Sequence, residues 1–320
     1  MAIVGSCLCQ SAYNPSLIAP PVPNMEASQK SPGAEEKPAA DAVETRMKIA
    51  VRDIGIPPRP TILSQIEREA AKDEPDFLYL AKLLSHDVGL SAGMIKVANS
   101  PFFSFGKKVP TIQEALLVLG LKLVVKTIAG LALQQAFKHV PNMERFWDAS
   151  AATAETSAML VKHLGRSLGL RPEDAHTYAL FRDCGIPMLM IPFPEYRAVL
   201  ARANQESSLL FTEVEEQAIS LNHTLVGAEL AEDWLLPIET CQAIRHHHDP
   251  AALDGGLDIP QRSRNLIAVA QLAEYLIQQK TAQSQTSEWQ KLGAGCLACL
   301  GLNEEDLPAL AEACLPEVSA

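Results

Sequence analysis

Histidine and aspartate are the residues of this 320-residue chain that could ligate a cation or carry a proton, and their spacing decides which of them can meet. Four histidines, His86, His139, His163 and His176, stand alone, and a solitary histidine reads first as a polar surface residue or a helix-end cap. The remaining set is Asp183, His223 and the run His246-His247-His248. Three consecutive imidazoles cannot converge on one ion, because neighbours on a helix project about 100° apart, so one or two face inward at most. Just ahead of Asp249-Pro250 the run also suits the end of a helix, where imidazoles meet exposed carbonyls and the negative end of the dipole. Spacing alone favours that capping role over ligation. The Cys296-x-x-Cys299 pair has redox or zinc spacing, yet its Gly-Cys-Leu-Ala-Cys-Leu-Gly setting reads as an apolar helix face, and no second pair accompanies it. The seven cysteines are odd in number and scattered, so no disulfide framework is visible.

Helices must position these residues. Ala and Leu dominate and aromatic residues make up 5%, a mixture that favours helices. Pro57-Pro58-Arg59-Pro60 forces an extended break, after which Ile62, Ile66 and Ala70 recur at helical spacing. Asp73-Glu74-Pro75 opens another helix with proline in its first turn, and Thr111 with Glu114 forms a capping box. Gly120 separates that piece from an apolar helix over 121–137, and a further helix over 146–168 ends at Gly169. Arg171-Pro172-Glu173-Asp174 opens the next, and Thr212 with Glu215 makes a second capping box. Helices near 223–234, 238–247, 260–280, 286–300 and 304–314 complete the pattern, with no sustained period-two alternation anywhere. The expected fold is all-α, in three parts. A Pro-rich tail over 1–42 is expected to be disordered, residues 43–252 form the main domain, and 253–320 form a helical extension packed on the core.

Hydrophobic residues at 48% and charged residues at 20% describe an ordinary globular protein. The net charge of −11 repels phosphate backbones and anionic lipid alike, which excludes nucleic acid and membrane surfaces as expected partners. Lys107-Lys108 reads as a solubilising pair. Val4-Gly5-Ser6-Cys7 imitates a lipoprotein cleavage box but lacks a basic start and an apolar stretch before it. No later segment offers about 20 uncharged apolar residues in a row. A soluble, cytoplasmic protein is expected.

Several stretches in order resemble a known family. Ile56-Pro57-Pro58-Arg59-Pro60, His86-Asp87-Val88-Gly89-Leu90, Val97-Ala98-Asn99-Ser100 and Ala115 through Gly120 are similar to the first half of the bacterial HDOD domain, the HD-related output domain. Phe146-Trp147, Ala179-Leu180-Phe181-Arg182-Asp183-Cys184-Gly185, then Glu215, His223, Gly227, Trp234 and Pro237, then 243–250, resemble its second half. The resemblance spans roughly residues 50–252. It implies a multi-helix HD-like domain and a role as an output or scaffold module, often tied to cyclic-di-GMP networks. HD hydrolases hold one or two divalent metals through an early His, the His-Asp pair, later histidines and a final Asp. Here Ala149 stands at the early His, Arg182 replaces the His of the pair, and Gln271 is the candidate at the final Asp.

A guanidinium has no lone pair to give a metal and repels one at contact distance, so its expected role is to pair with Asp183 or another carboxylate. A second role, binding a phosphate-bearing small molecule, stays open beside it. Arg182, Asp183, His223, His247 and His248 are therefore expected to form a vestigial pocket with no catalytic residue, no assigned metal ligand and no cofactor. Other signalling proteins are the expected partners. No second signalling domain is recognisable, so the chain is expected to act through its surface, tail or last helices. The competing reading is an HD-type phosphohydrolase acting on a nucleotide or cyclic dinucleotide.

Overall fold

The computed structural model describes residues 54–100, 103 and 108–315. The Pro-rich 1–42 tail, the 4–7 box, residues 43–53 of the expected main domain and Lys107 lie outside the described residues. Among those described, every regular element is a helix.

The first helices run Thr61–Ala70 (α1), Phe77–Ser85 (α2), Val88–Ala98 (α3) and Ile112–Ala136 (α4). The extended Pro57–Pro60 segment ahead of α1 is pinned to a distant tryptophan. Trp234 Nε1 donates to the Pro57 carbonyl at 3.0 Å, and Arg59 Nε donates to the Trp234 carbonyl at 2.8 Å. Helix α2 starts at Phe77, with Asp76 accepting from the amides of Leu78 and Tyr79, so the Asp73-Glu74-Pro75 start expected from sequence lies just outside it. A short carboxylate at the N-cap position wins over an upstream proline because it satisfies two otherwise unpaired donors. Asp87 caps α3 in the same way. Asn99 donates to the Val109 carbonyl and accepts from the Val109 amide, each at 2.8 Å, which ties the end of α3 to the approach of α4.

Helix α4 begins at the expected Thr111–Glu114 capping box and is broken at Gly120, whose φ of 71° only glycine adopts without strain. It is also the one helix among the described residues long and apolar enough to cross a membrane. Lys122 and Lys126 interrupt it, and Leu123, Val124, Ile128 and Leu133 are buried in the core.

Helix α5 (Glu144–Leu164) ends at Gly165 with φ 83°, not at Gly169, and one 3₁₀ turn over Arg166–Leu168 separates it from α6 (Pro172–Phe181). Both glycines have positive φ, and the helix stops at the first. Helix α6 is buried at Ala175–Ala179 and at Phe181 and packs on α5 and α4. Then come α7 (Gly185–Leu189), α8 (Tyr196–Gln205), α9 (Phe211–Ile219), α10 (His223–Asp233), α11 (Ile238–His246) and α12 (Ala251–Asp254). The extension supplies α13 (Gln261–Thr281), α14 (Glu288–Leu300) and α15 (Leu307–Cys314). Helix α13 packs against α5, α6 and α11 and carries α14 on its other side, so α13 and α14 belong to the core. Cys296 is buried in α14 and Cys299 half-buried, its thiol donating to the Leu253 carbonyl.

Candidate functional site

Asp183 follows α6 directly, and its placement rests on two glycines. A Cβ at Gly185 would lie 2.1 Å from the His223 carbonyl oxygen and 2.8 Å from the Gly227 amide, so α7 touches α10 backbone to backbone. That approach brings Asp183 under His223, the first residue of α10. Helix α11 ends at His246, and the chain then turns His247 and His248 inward, at 1% and 7% exposure, while His246 stays half-buried. Two of the run's imidazoles enter the interior, because the helix stops one residue before them, and the expected meeting with an exposed carbonyl at the helix end is kept by His247, whose Nδ1 faces Ile244.

One ligand atom each from Asp183, His223, His247 and His248 lies within 4.8 Å of the others. Asp183 Oδ1 is 3.2 Å from His247 Nε2 and 3.5 Å from His223 Nε2, and the two nitrogens are 3.2 Å apart. The tautomers follow from the outer partners. His247 Nδ1 faces the Ile244 carbonyl at 2.8 Å, and His223 Nδ1 faces both Glu215 oxygens at 2.9 Å, so each Nδ1 carries a proton and donates it. His248 Nδ1 likewise bonds Glu288, and its ring stacks on Phe211. Both Nε2 atoms and one carboxylate oxygen therefore converge on a single point. Ligands held about 2.0–2.2 Å from a tetrahedral ion stand about 3.3–3.6 Å apart, so the triangle fits one transition-metal cation.

A proton competes for the same point. Burial opposes charge on His223, but the Glu215 and Asp183 carboxylates outweigh it and raise its pKa to about 9. Burial and the neighbouring His248 take His247 the other way, to about 3, against the pull of Asp183. Asp183 is held well below the ordinary carboxylate range: burial works against its charge, and the Arg182 guanidinium and the two histidines overcome that.

The other oxygen of Asp183 is occupied. Arg182, 7% exposed, donates to Asp183 Oδ2 from Nε at 3.1 Å and Nη2 at 3.0 Å, and Nη2 also donates to Glu274 Oε2 at 2.8 Å. The carboxylate pairing expected for Arg182 is present, with two partners rather than one.

Other expectations move. Ala149 is exposed on α5 and does not turn toward the cluster. Gln271 is buried in α13, but Glu274, one turn later, is the residue that reaches Arg182. Glu215 does not close a capping box. Helix α9 starts two residues earlier than that box requires, Glu213 accepts from the Leu210 amide, and Glu215 is buried between His223 and the Tyr196 hydroxyl, which donates to it. His86, His139 and His163 are exposed as expected, whereas His176 is 5% exposed, because α6 has almost no solvent face. Glu274 and Glu288 carried no local signal, since their partners lie 92 and 40 residues away.

The HDOD domain family model matches residues 56–250. An uncharacterised protein of Treponema pallidum (strain Nichols) is 26% identical over 205 residues, which is 63% of this chain and 39% of that protein's length. Among solved structures, an HDOD domain protein of unknown function from Geobacter sulfurreducens is 21% identical, covers 86% of this chain and 97% of its own, and superposes with a TM-score of 0.60. A Shewanella amazonensis SB2B protein provisionally named a phosphohydrolase is 20% identical over 85% of this chain and 92% of its own, also at 0.60. A Marinobacter aquaeolei VT8 protein provisionally named for signal transduction is 20% identical over 88% of this chain and 66% of its own, at 0.56.

Proposed function

We propose, from the premise that this chain belongs to the HDOD domain family, that it is a non-catalytic regulatory module of bacterial signal transduction. It works in the cytoplasm, by binding other signalling proteins, in circuits linked to cyclic-di-GMP. The observation that carries this reading is Arg182. A permanent cation holds Asp183 Oδ2 and Glu274, so the carboxylate that would bridge two ions in a dinuclear centre has one oxygen left to offer. The two-ion clamp on attacking and leaving oxygens then lacks its bridge.

Should a divalent ion be taken up, Asp183, His223 and His247 would hold it with His248 beside them, and it would supply Lewis-acid polarisation or an acidified water. The chain's own residues do the rest. Glu215 and the Ile244 carbonyl fix the rings and Arg182 keeps Asp183 ionised; a proton on His223 Nε2, facing Asp183, is the alternative occupant to the ion. Arg182 Nη1 is buried with no partner among the described residues, which leaves one donor for a phosphate-bearing small ligand.

The second reading, an HD-type metal-dependent phosphohydrolase acting on a nucleotide or cyclic dinucleotide, is favoured by the triangle itself. Purified full-length chain in Mn²⁺ is expected to leave cyclic-di-GMP and bis(p-nitrophenyl) phosphate uncleaved above the buffer rate. Chelator-sensitive turnover that disappears in Asp183→Asn would establish the hydrolase instead.

A further inference from the structure

A second polar region lies between α3, α4, α5 and α6, in a cavity of about 630 Å³ that shares no side chain with the Asp183 cluster. That volume is within the roughly 300–1,000 Å³ of small-molecule pockets. Val97, Leu131, Ala151 and Leu180 make its walls aliphatic. Gly93 and Gly130 keep it open where the helices close in: a Cβ at Gly93 would lie 2.5 Å from Leu131, and one at Gly130 2.7 Å from Leu180.

Three of the lining residues each carry an unusual atom. Ser100 Oγ, Thr127 Oγ1 and His176 Nδ1 are buried with no hydrogen-bond partner among the described residues, and the three residues are 9%, 2% and 5% exposed. Native interiors hold few such groups, since each forgoes a hydrogen bond it had in water. Three around one cavity mark a place where the partner comes from outside the chain. Its charge is set at the edge, where Lys96 and Lys138 are exposed. Glu155 is the one carboxylate among the described lining residues, so two positive charges face one negative at most; burial raises its pKa against the opposing pull of Lys96.

We infer that this cavity is a binding site for a small amphipathic organic anion. Its apolar body lies against the aliphatic walls, a polar atom within that body meets Ser100, Thr127 and His176, and its acidic group faces Lys96 and Lys138. The inference goes beyond the function proposed above and stands whether or not the Asp183 cluster cleaves a phosphodiester.

Two naphthalene dyes test it on the full-length protein: the sulfonate 8-anilinonaphthalene-1-sulfonate and its uncharged analogue N-phenyl-1-naphthylamine. The sulfonate is expected to bind saturably at one per chain, below the melting transition, and about tenfold more tightly than the neutral dye, an advantage that salt erodes. The pair Lys96→Gln and Lys138→Gln should abolish that advantage, and Ala151→Phe, which fills the cavity, should abolish binding. Thr127→Val removes an unpaired hydroxyl at constant shape and should raise the melting temperature of the dye-free protein. Equal affinity for both dyes, or sulfonate binding unchanged in Ala151→Phe at unchanged melting temperature, overturns the assignment. A lowered melting temperature in Thr127→Val removes its premise.

Discussion

Helix α6 separates two polar regions that obey opposite rules. Beyond its C-terminal end, in the Asp183 cluster, the carboxylates and imidazoles have partners: Arg182 with two carboxylates, His223 between Glu215 and Asp183, His247 on the Ile244 carbonyl, His248 on Glu288. One nitrogen of Arg182 is the exception. Along its length, at His176, the helix lines a cavity where three buried polar atoms have none. A satisfied network in a low dielectric is rigid and strong, and it resists change because loss of one member strands the others. Unsatisfied groups weaken the empty fold and reward whatever arrives to pair them. The first region is therefore a structural keystone as much as a site, and the second is where binding energy is available.

The sharpest way to break that contrast is Arg182→Met. Asp183 Oδ2 and Glu274 Oε2, both half-buried, would then lose the cation they share while Asp183 keeps its imidazole contacts, at a cost of about 3 kcal/mol in urea unfolding, the low end for a broken buried pair. Adding Glu274→Met should recover much of the loss, and a cost below about 1 kcal/mol for the single change would deny the network its role. Gly185→Ala comes next. The new Cβ would meet the His223 carbonyl, and the forced separation of α7 from α10 should cost about 3 kcal/mol.

The cavity side responds to acid. Burial, aided by the Lys126 charge, lowers the His176 pKa from 6.5 to about 4. Above the unfolded value both states are neutral and the residue contributes nothing. As pH falls from 6.5 the unfolded chain binds a proton that the fold refuses, so stability declines, levelling off below about 4 after a loss of up to about 3 kcal/mol. His176→Leu should flatten that limb of a stability-against-pH curve, and an unchanged curve would contradict the burial argument. The smallest effect is expected for Tyr196→Phe, which takes one donor from buried Glu215 and should cost about 1–2 kcal/mol by the same unfolding measurement.

What could be read before the structure was whatever local patterns encode. Thr111 with Glu114, the break at Gly120 and the start at Arg171-Pro172 sit where short-range capping and backbone rules put them. The pairing of Arg182 with a carboxylate followed from its chemistry. The failures around the site share one cause, which is that a tertiary partner outbid a local one; the displaced helix ends at Asp76 and Gly165 were lost to a neighbouring local signal instead. Thr212-x-x-Glu215 satisfies the capping pattern, yet the buried His223 and Tyr196 claimed the carboxylate. His176 looks like any solitary histidine until α6 proves buried on nearly every side. Glu274 and Glu288 reach the cluster only because α13 and α14 pack on the core, and no spacing rule spans that distance. The extension beyond residue 252 thus completes the site rather than covering it.

Arg182 leaves the Asp183 cluster room for one cation at most. Equilibrium dialysis of the full-length protein against Mn²⁺, with bound metal counted by mass spectrometry, measures this directly. No more than one ion per chain is expected at saturation, and two ions per chain, lost together in Asp183→Asn, would contradict it.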